Sequence, residues 1–158
     1  GSSLPLRGDK APLFEGGIKV PCLMRWPGMI QPGSISDEVL SSLDLFPSFA
    51  TAAGLSDDLP EHDGQSLLST LGGLASPQPR TLLWQTGAHA ELGRKSWLAY
   101  REGPLIYLSS PKDGEFLFDL SKDPNETTNL KKELPEDLLR LIEAALFRAR
   151  QLRKSSKD

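Results

Sequence analysis

Between residues 80 and 120 the chain repeats one pattern: a short apolar run, a turn signal, then another short apolar run. The runs are residues 81–85, 96–101, 105–108 and 115–120. Glu102-Gly103-Pro104 and Pro111-Lys112-Asp113-Gly114 separate the last three. Strands this closely spaced predict an antiparallel meander. In the second run Trp97, Ala99 and Arg101 share one side. Pro135 then opens a helix, with Leu138, Leu139, Ile142, Leu146 and Ala149 as its apolar stripe. Glu136 and Asp137 near its start and Arg148, Arg150 and Arg153 near its end suit the helix dipole.

The first half has a different rhythm. Arg7, Asp9 and Lys10 lie among glycine and proline in an opening loop that closes at Gly16-Gly17. Residues 18–26 read as a strand whose buried stretch is Val20, Cys22, Leu23 and Met24. Pro27-Gly28 and Gln31-Pro32-Gly33 are turn signals. Ser42 or Asp44 is placed to cap a helix beginning near Leu45, with Pro47 tolerated in its first turn and Gly54 as its stop. Residues 55–79 are rich in Gly, Pro, Ser and Asp and read as loop with a helical turn or two near Ser66 to Leu71.

Charge and cysteine usage exclude several classes. Lys+Arg number 18 against Asp+Glu 21, a net charge of -3, which argues against a nucleic-acid binder with its usual basic face. No run approaches the roughly 18 to 20 apolar residues a membrane helix needs. Cys22 is the only cysteine, so an internal disulfide, a CxxC redox pair and a thiolate zinc site are all excluded. Within Val20-Pro21-Cys22-Leu23-Met24 it is expected to be an inert buried hydrophobe. Asp57, Asp58, Glu61 and Asp63 lack EF-hand spacing and read as a solvated acidic loop, with His62 in a turn. Asn125-Glu126-Thr127 fits a glycosylation sequon.

Five blocks of residues carry a family resemblance. Leu6-Arg7-Gly8-Asp9-Lys10, followed by Glu15-Gly16-Gly17-Ile18-Lys19-Val20-Pro21, resembles the "LRGGKxxxxEGGxRVP" segment of the type I, formylglycine-dependent sulfatases. Arg25-Trp26-Pro27-Gly28 with Pro32-Gly33 is similar to that family's "RWPGxIxPG". Ser42-Leu43-Asp44-Leu45-Phe46-Pro47 is similar to "xxxDLxPT", and Asp63-Gly64-Gln65-Ser66-Leu67 to "DGxSL". Phe116-Leu117-Phe118-Asp119-Leu120 through Asp123-Pro124-Asn125-Glu126 to Asn129-Leu130 resembles "ELYDLxxDPxExxNL". The order and spacing hold from about Leu4 to Leu146.

The resemblance implies an alkaline-phosphatase-like α/β fold. Residues 1–74 would be the end of the large catalytic domain, 75–79 a connector, and 80–158 a small domain of about four antiparallel strands and a packed helix. It implies hydrolysis of aryl or carbohydrate sulfate monoesters. Two readings compete with this: a phosphonate or phosphate monoester hydrolase of the same superfamily, and a non-catalytic truncated interaction module. The implied cofactors are calcium or another divalent metal and a formylglycine nucleophile. No C/S-x-P/A-x-R motif occurs here, since Cys22 is followed by Leu23-Met24-Arg25, so nucleophile and metal ligands are expected outside this chain. Alone, the chain is expected to be inert. The implied partners are a sulfated small molecule or glycan and the missing N-terminal part. The implied compartment is periplasmic, secreted or lysosomal.

Lys10 matches the family's G-x-K lysine, which contacts the sulfate group, although Asp9 replaces the usual glycine before it. An ammonium point charge there would stabilise charge building on the sulfuryl group or the leaving oxygen. His89, on a loop after a strand, is the second candidate, suited to a general acid or a sugar-hydroxyl contact. Glu15 is read as scaffold, accepting backbone N–H groups or pairing with Lys19 or Arg7.

Overall fold

The structure, a computed structural model, describes residues 3–9, 12–55, 59–72, 80–87, 96–133 and 136–155. Its described residues fall into two compact units. One is Gly1–Val20 together with Pro79–Asp158, and the other is Pro21–Gln78. The sequence placed residues 1–74 together and 75–79 as a connector. In the structure the opening residues instead pack on the element that begins near residue 80. Their apolar side chains, Leu13 and Phe14, are buried against the sheet.

The first unit is built on a four-stranded antiparallel meander. Its strands are β1 (Thr81–Thr86), β2 (Trp97–Glu102), β3 (Leu105–Ser110) and β4 (Gly114–Asp119), in the order β1-β2-β3-β4. The register pairs Leu83 with Tyr100, Tyr100 with Tyr107 and Tyr107 with Leu117. The β2–β3 turn is Gly103-Pro104. Gly103 sits at φ 57, and a glycine in that position followed by a residue of negative φ is the tight turn that follows the twist of a hairpin.

Period-two alternation divides the sheet cleanly, because neighbouring side chains in a strand point to opposite faces. One face carries Trp97, Ala99, Ile106, Leu108 and Phe118, covered by Leu13 and Phe14. The other carries Tyr100, Tyr107 and Leu117, covered by Leu141, Ile142 and Ala145 of the long C-terminal helix. That helix, Glu136–Ser155, is α4, preceded among the described residues by three short α-helices. A sheet buried on both faces explains why its strands read as nearly continuous apolar runs. Each of Ile106, Tyr107, Leu108, Leu117 and Phe118 is fully buried.

The stripe on α4 differs from the expected one. Leu141, Ile142, Ala145 and Ala149 face the sheet, while Leu139 and Leu146 are exposed. Ala145, one turn beyond Leu141, packs in the cluster with Tyr100 and Tyr107, and Ala149 a further turn on is buried as well. The larger leucines fall on the rim. The side chain of Leu138 lies outside the described residues.

The remaining helices are short: α1 (Glu15–Ile18), α2 (Leu45–Ala52) and α3 (Leu68–Leu71). The strand expected over 18–26 is absent. Residues 19–26 follow α1 without regular structure, Leu23 is 97% exposed and Cys22 is exposed rather than buried. A central strand needs neighbours to satisfy its N–H and C=O groups, and none of the described residues pairs with this segment.

The Pro21–Gln78 unit is fastened at Asp44, which is fully buried. Of the two expected caps of α2, Asp44 holds the N-cap position but makes no side-chain cap bond there, and Ser41 caps the preceding 3-10 turn Ser42–Asp44. Its hydroxyl accepts from Leu43 N–H, and Asp44 Oδ2 accepts from Ser41 N–H at 2.7 Å. Asp44 Oδ1 also accepts from Gln65 N–H at 2.9 Å, and Ser48 Oγ accepts from Leu67 N–H at 2.9 Å. The Asp44 and Asp63-Gly64-Gln65 motifs are therefore two halves of one latch.

Candidate functional site

The segment that carries the sulfatase-like glycine and lysine pattern is anchored on the β2–β3–β4 face of the sheet. Phe14 is its apolar anchor, meeting Trp97 and Phe116 edge-on with ring centroids 5.4 Å away in each case. The Arg7 guanidinium lies over the same aromatic cluster. Its central carbon is 4.3 Å from the Phe14 ring centroid, 5.4 Å from Phe116 and 5.6 Å from Phe118. Arg7 Nη1 donates to the backbone oxygen of Glu126 at 2.6 Å.

The glycine pair has a steric reason. A Cβ on Gly16 would come within 2.5 Å of the Arg7 carbonyl oxygen, and one on Gly17 within 2.1 Å of the Pro12 oxygen and 2.5 Å of the Asp9 oxygen. Gly16 N–H donates to Arg7 O at 2.8 Å. The loop backbone thus folds directly onto Gly16-Gly17, and no other residue fits there. Asp9 and Pro12, the described residues on either side of positions 10–11, both rest on Gly17.

Glu15 is buried, at 4% exposure. Its Oε1 pairs with Arg101 at 3.3 Å and its Oε2 with Lys19 at 3.8 Å. Glu15 is the expected scaffold residue, and Lys19 is one of its two expected partners. Arg101 takes the place expected for Arg7, because Arg7 is committed to the aromatic stack and to Glu126.

Glu126 is the residue the sequence reading passed over. It is fully buried, and it occupies a left-handed backbone conformation at φ 56. Its Oε2 accepts from Glu15 N–H at 2.9 Å, while its Oε1 has no hydrogen-bond partner among the described residues. Burial pushes its carboxyl up to about 7. The Glu15 N–H opposes that shift, the Glu15 charge adds to it, Arg7 opposes it and Asp123 adds to it. The signal for Glu126 was present in the quoted Asp123-Pro124-Asn125-Glu126 block, but nothing in that block announces a buried glutamate.

A second polar network sits at the far end of β4. Tyr107 donates its hydroxyl proton to Glu115 Oε1 at 2.5 Å, and Lys131 pairs with Glu115 Oε2 at 2.7 Å. The Lys131 hydrogen bond, then the Tyr107 one, holds the Glu115 carboxyl below its ordinary range. Burial first, then Glu115, raises the Tyr107 phenol well above its usual value. Asn129 Oδ1 accepts from Leu117 N–H at 3.0 Å and Asn129 Nδ2 donates to Glu115 O at 3.1 Å, tying the block after β4 to the strand.

Both sequence candidates, Lys10 and His89, lie outside the described residues. His62 is exposed, with Nδ1 3.0 Å from Gly64 O. Among the described residues no three His, Cys, Asp or Glu side chains are gathered to hold a metal ion, and none of their helices is long and apolar enough to cross a membrane. The residues present therefore do not form the cation site or the nucleophile motif that the family resemblance implies.

The four-stranded antiparallel meander and its packed helix agree with the small C-terminal domain that the resemblance implies. A solved structure from Bacteroides thetaiotaomicron, reported for the metabolism of multiple glycosaminoglycans, superposes with a TM-score of 0.68 at 29% identity, covering 88% of this chain and 31% of its own. Bovine (Bos taurus) "Arylsulfatase A" is 33% identical over 86% of this chain and 31% of its own length. "Choline-sulfatase" of Rhizobium meliloti (strain 1021) is 37% identical over 77% of this chain and 23% of its own. The chain thus spans less than a third of the length of each. Residues 8–151 match the family "N-sulphoglucosamine sulphohydrolase, C-terminal", and the chain belongs to that family.

Proposed function

We propose that the protein bearing this chain hydrolyses sulfate monoesters of an aryl alcohol or a carbohydrate, and that this chain supplies its C-terminal portion and one sulfate-binding side chain, Lys10. The observation that carries the reading is the Arg7-to-Gly17 segment. Its glycine pair receives the loop backbone on both sides of positions 10–11, and its arginine and glutamate are fixed to the sheet. A loop held in this way suits an ammonium group that must meet a sulfate oxygen in one position, since an electrostatic stabiliser works best when it needs no reorganisation.

The formylglycine nucleophile and the divalent cation, calcium by resemblance, belong in this reading to residues outside the chain. When bound, such a cation supplies neutralisation of the sulfate charge. Lys10 adds a further positive charge, and His89 is assigned to contact the alcohol or sugar side of the substrate. The family description and the glycosaminoglycan-related neighbour favour a sulfated amino sugar as the carbohydrate. A compartment outside the cytosol, whether periplasmic, secreted or lysosomal, accompanies the same reading.

The test is turnover of an aryl sulfate and of glucosamine N-sulfate by the full-length enzyme. Lys10→Ala is expected to lower kcat by on the order of 10²- to 10³-fold, the range for loss of one stabilising donor. An unchanged rate refutes the role of Lys10. The 158-residue chain alone is expected to show no turnover, because an ammonium group cannot form the covalent intermediate.

A further inference from the structure

Glu126 grips the Arg7-to-Glu15 segment at both ends. Its main-chain oxygen accepts from Arg7 Nη1, and its side-chain Oε2 accepts from Glu15 N–H. The first contact joins residues 119 apart in sequence and the second joins residues 111 apart. A residue that directs both its carbonyl and its carboxyl at one loop must turn its backbone sharply. Glu126 does so at φ 56, a region that non-glycine residues occupy at a cost and that surrounding structure must enforce. The stretch after β4 enforces it. Asp123 accepts from Thr128 N–H at 2.7 Å and from the Thr127 hydroxyl at 2.9 Å, and Glu126 N–H donates to Asp123 O at 3.1 Å.

Among the described residues only one oxygen of the buried carboxyl is used, for the Oε1 atom has no partner there. A side chain kept solely for stability would gain from an apolar replacement at such a site. One kept to hold a backbone amide and an arginine in fixed relation would not. Between the two gripped residues the loop carries position 10. Its described flanks, Asp9 and Pro12, rest on Gly17, two residues beyond Glu15.

We propose that Glu126 is a positioning residue for sulfate ester hydrolysis: through Arg7 and Glu15 it fixes the chain on either side of position 10, whose lysine is assigned above to the sulfate group. This rests on the reading of Lys10 given above. Glu126 itself touches no substrate.

The test is steady-state kinetics on the full-length enzyme with an aryl sulfate, using Glu126→Ala, Glu126→Gln, Lys10→Ala and the double variant Lys10→Ala/Glu126→Ala. Glu126→Ala is expected to lower kcat by on the order of tenfold to a hundredfold, the scale of a misplaced catalytic group, with a smaller change in KM. Glu126→Gln keeps an acceptor for Glu15 N–H and is expected to recover most of that loss. Once Lys10 is gone its placement no longer matters, so the double variant is expected to match Lys10→Ala alone. The proposal is overturned if Glu126→Ala is fully active, if its loss multiplies with that of Lys10→Ala, or if a folded Glu126→Gln loses as much as the alanine variant. A fully active Lys10→Ala overturns the reading of Lys10, and this proposal with it. That outcome is distinct from an inactive Lys10→Ala whose effect is independent of Glu126. Should Glu126→Ala not fold, Arg7→Lys removes the planar donor from the same clamp and must show the same dependence on Lys10.

Discussion

Replacing Glu126 by glutamine should change how stability depends on pH. The native carboxyl sits at about 7 against an ordinary value of 4.5, chiefly because it is buried. A folded-state value above the unfolded one means that the native state keeps a proton which the unfolded chain has already released. The resulting stabilisation is complete below about 4.5 and is lost as pH rises through 7. Each pKa unit corresponds to about 1.4 kcal/mol, so the full span amounts to roughly 3 kcal/mol, an upper figure for this one group. Glutamine stays neutral throughout and still offers an oxygen to Glu15 N–H, so it removes the pH dependence and keeps the contact. Urea unfolding of the parent chain and of Glu126→Gln at intervals from pH 5 to pH 8 would measure this. The variant is expected to gain steadily on the parent as pH rises, by about 2 to 3 kcal/mol across the range. A constant difference between the two curves would show that Glu126 ionises as an ordinary glutamate. The clamp would then hold a charge stabilised by Arg7, not a proton.

Three further outcomes can be checked. Gly64→Ala should destabilise the Pro21–Gln78 unit by about 2 kcal/mol or more, because its Cβ would fall 2.0 Å from the Leu43 carbonyl oxygen; accelerated hydrogen exchange at the Gln65 and Leu67 amides would report it, and unchanged exchange would refute it. Tyr107→Phe should cost about 1 to 2 kcal/mol in chemical unfolding and leave Glu115 paired with Lys131; because Glu115 is held below its ordinary range, the stability it contributes should fade as pH drops toward and below 4.5, and more readily in the variant. Amides in 116–120 should exchange slowly and those in 20–24 quickly, since Leu117 and Phe118 are fully buried while Val20 and Leu23 are mostly exposed; equal protection would contradict the packing described.

The meander was legible because alternation and turn residues are local signals. All four strands lie where the apolar runs placed them, with ends moved by a residue or two. The common side of Trp97, Ala99 and Arg101 was legible too, and it held an unread consequence. An arginine on an apolar face needs a carboxylate, and Glu15 supplies it across the sheet surface. Other features depend on partners distant in sequence. The run 18–26 has the composition of a strand, yet a strand exists only where another chain segment completes its hydrogen bonds. Composition could not show that none of the described residues does so. Glu126 is harder still. Nothing in the residue type distinguishes a solvated turn glutamate from one buried against Arg7 and the Glu15 backbone, because burial of a charged group is decided entirely by what arrives from elsewhere. The α4 stripe was legible in part: Ile142 and Ala149 are buried as expected, but Leu141 and Ala145 were passed over for the larger Leu139 and Leu146, which lie exposed.

The two ends of the first unit's sequence are joined around an intervening stretch of more than fifty residues, Pro21–Gln78. This arrangement imposes an order on synthesis. Arg7 and Phe14 leave the ribosome before the sheet they pack on, and Phe116, Phe118 and Glu126 follow only after about a hundred more residues. At roughly 5 to 20 residues per second the wait is on the order of 5 to 20 s. Throughout that interval Leu13 and Phe14 have no sheet to cover, and the carbonyl that will receive Arg7 does not yet exist. The Asp44 latch can close during the same interval, because Ser41, Ser48 and Gln65 are all nearby in sequence. The nascent chain therefore passes through a stage in which the 41–67 stretch is tied and the 7–14 stretch is loose. During that stage a chaperone or protease would meet an unsheltered Leu-Phe pair three residues after the lysine proposed to contact sulfate.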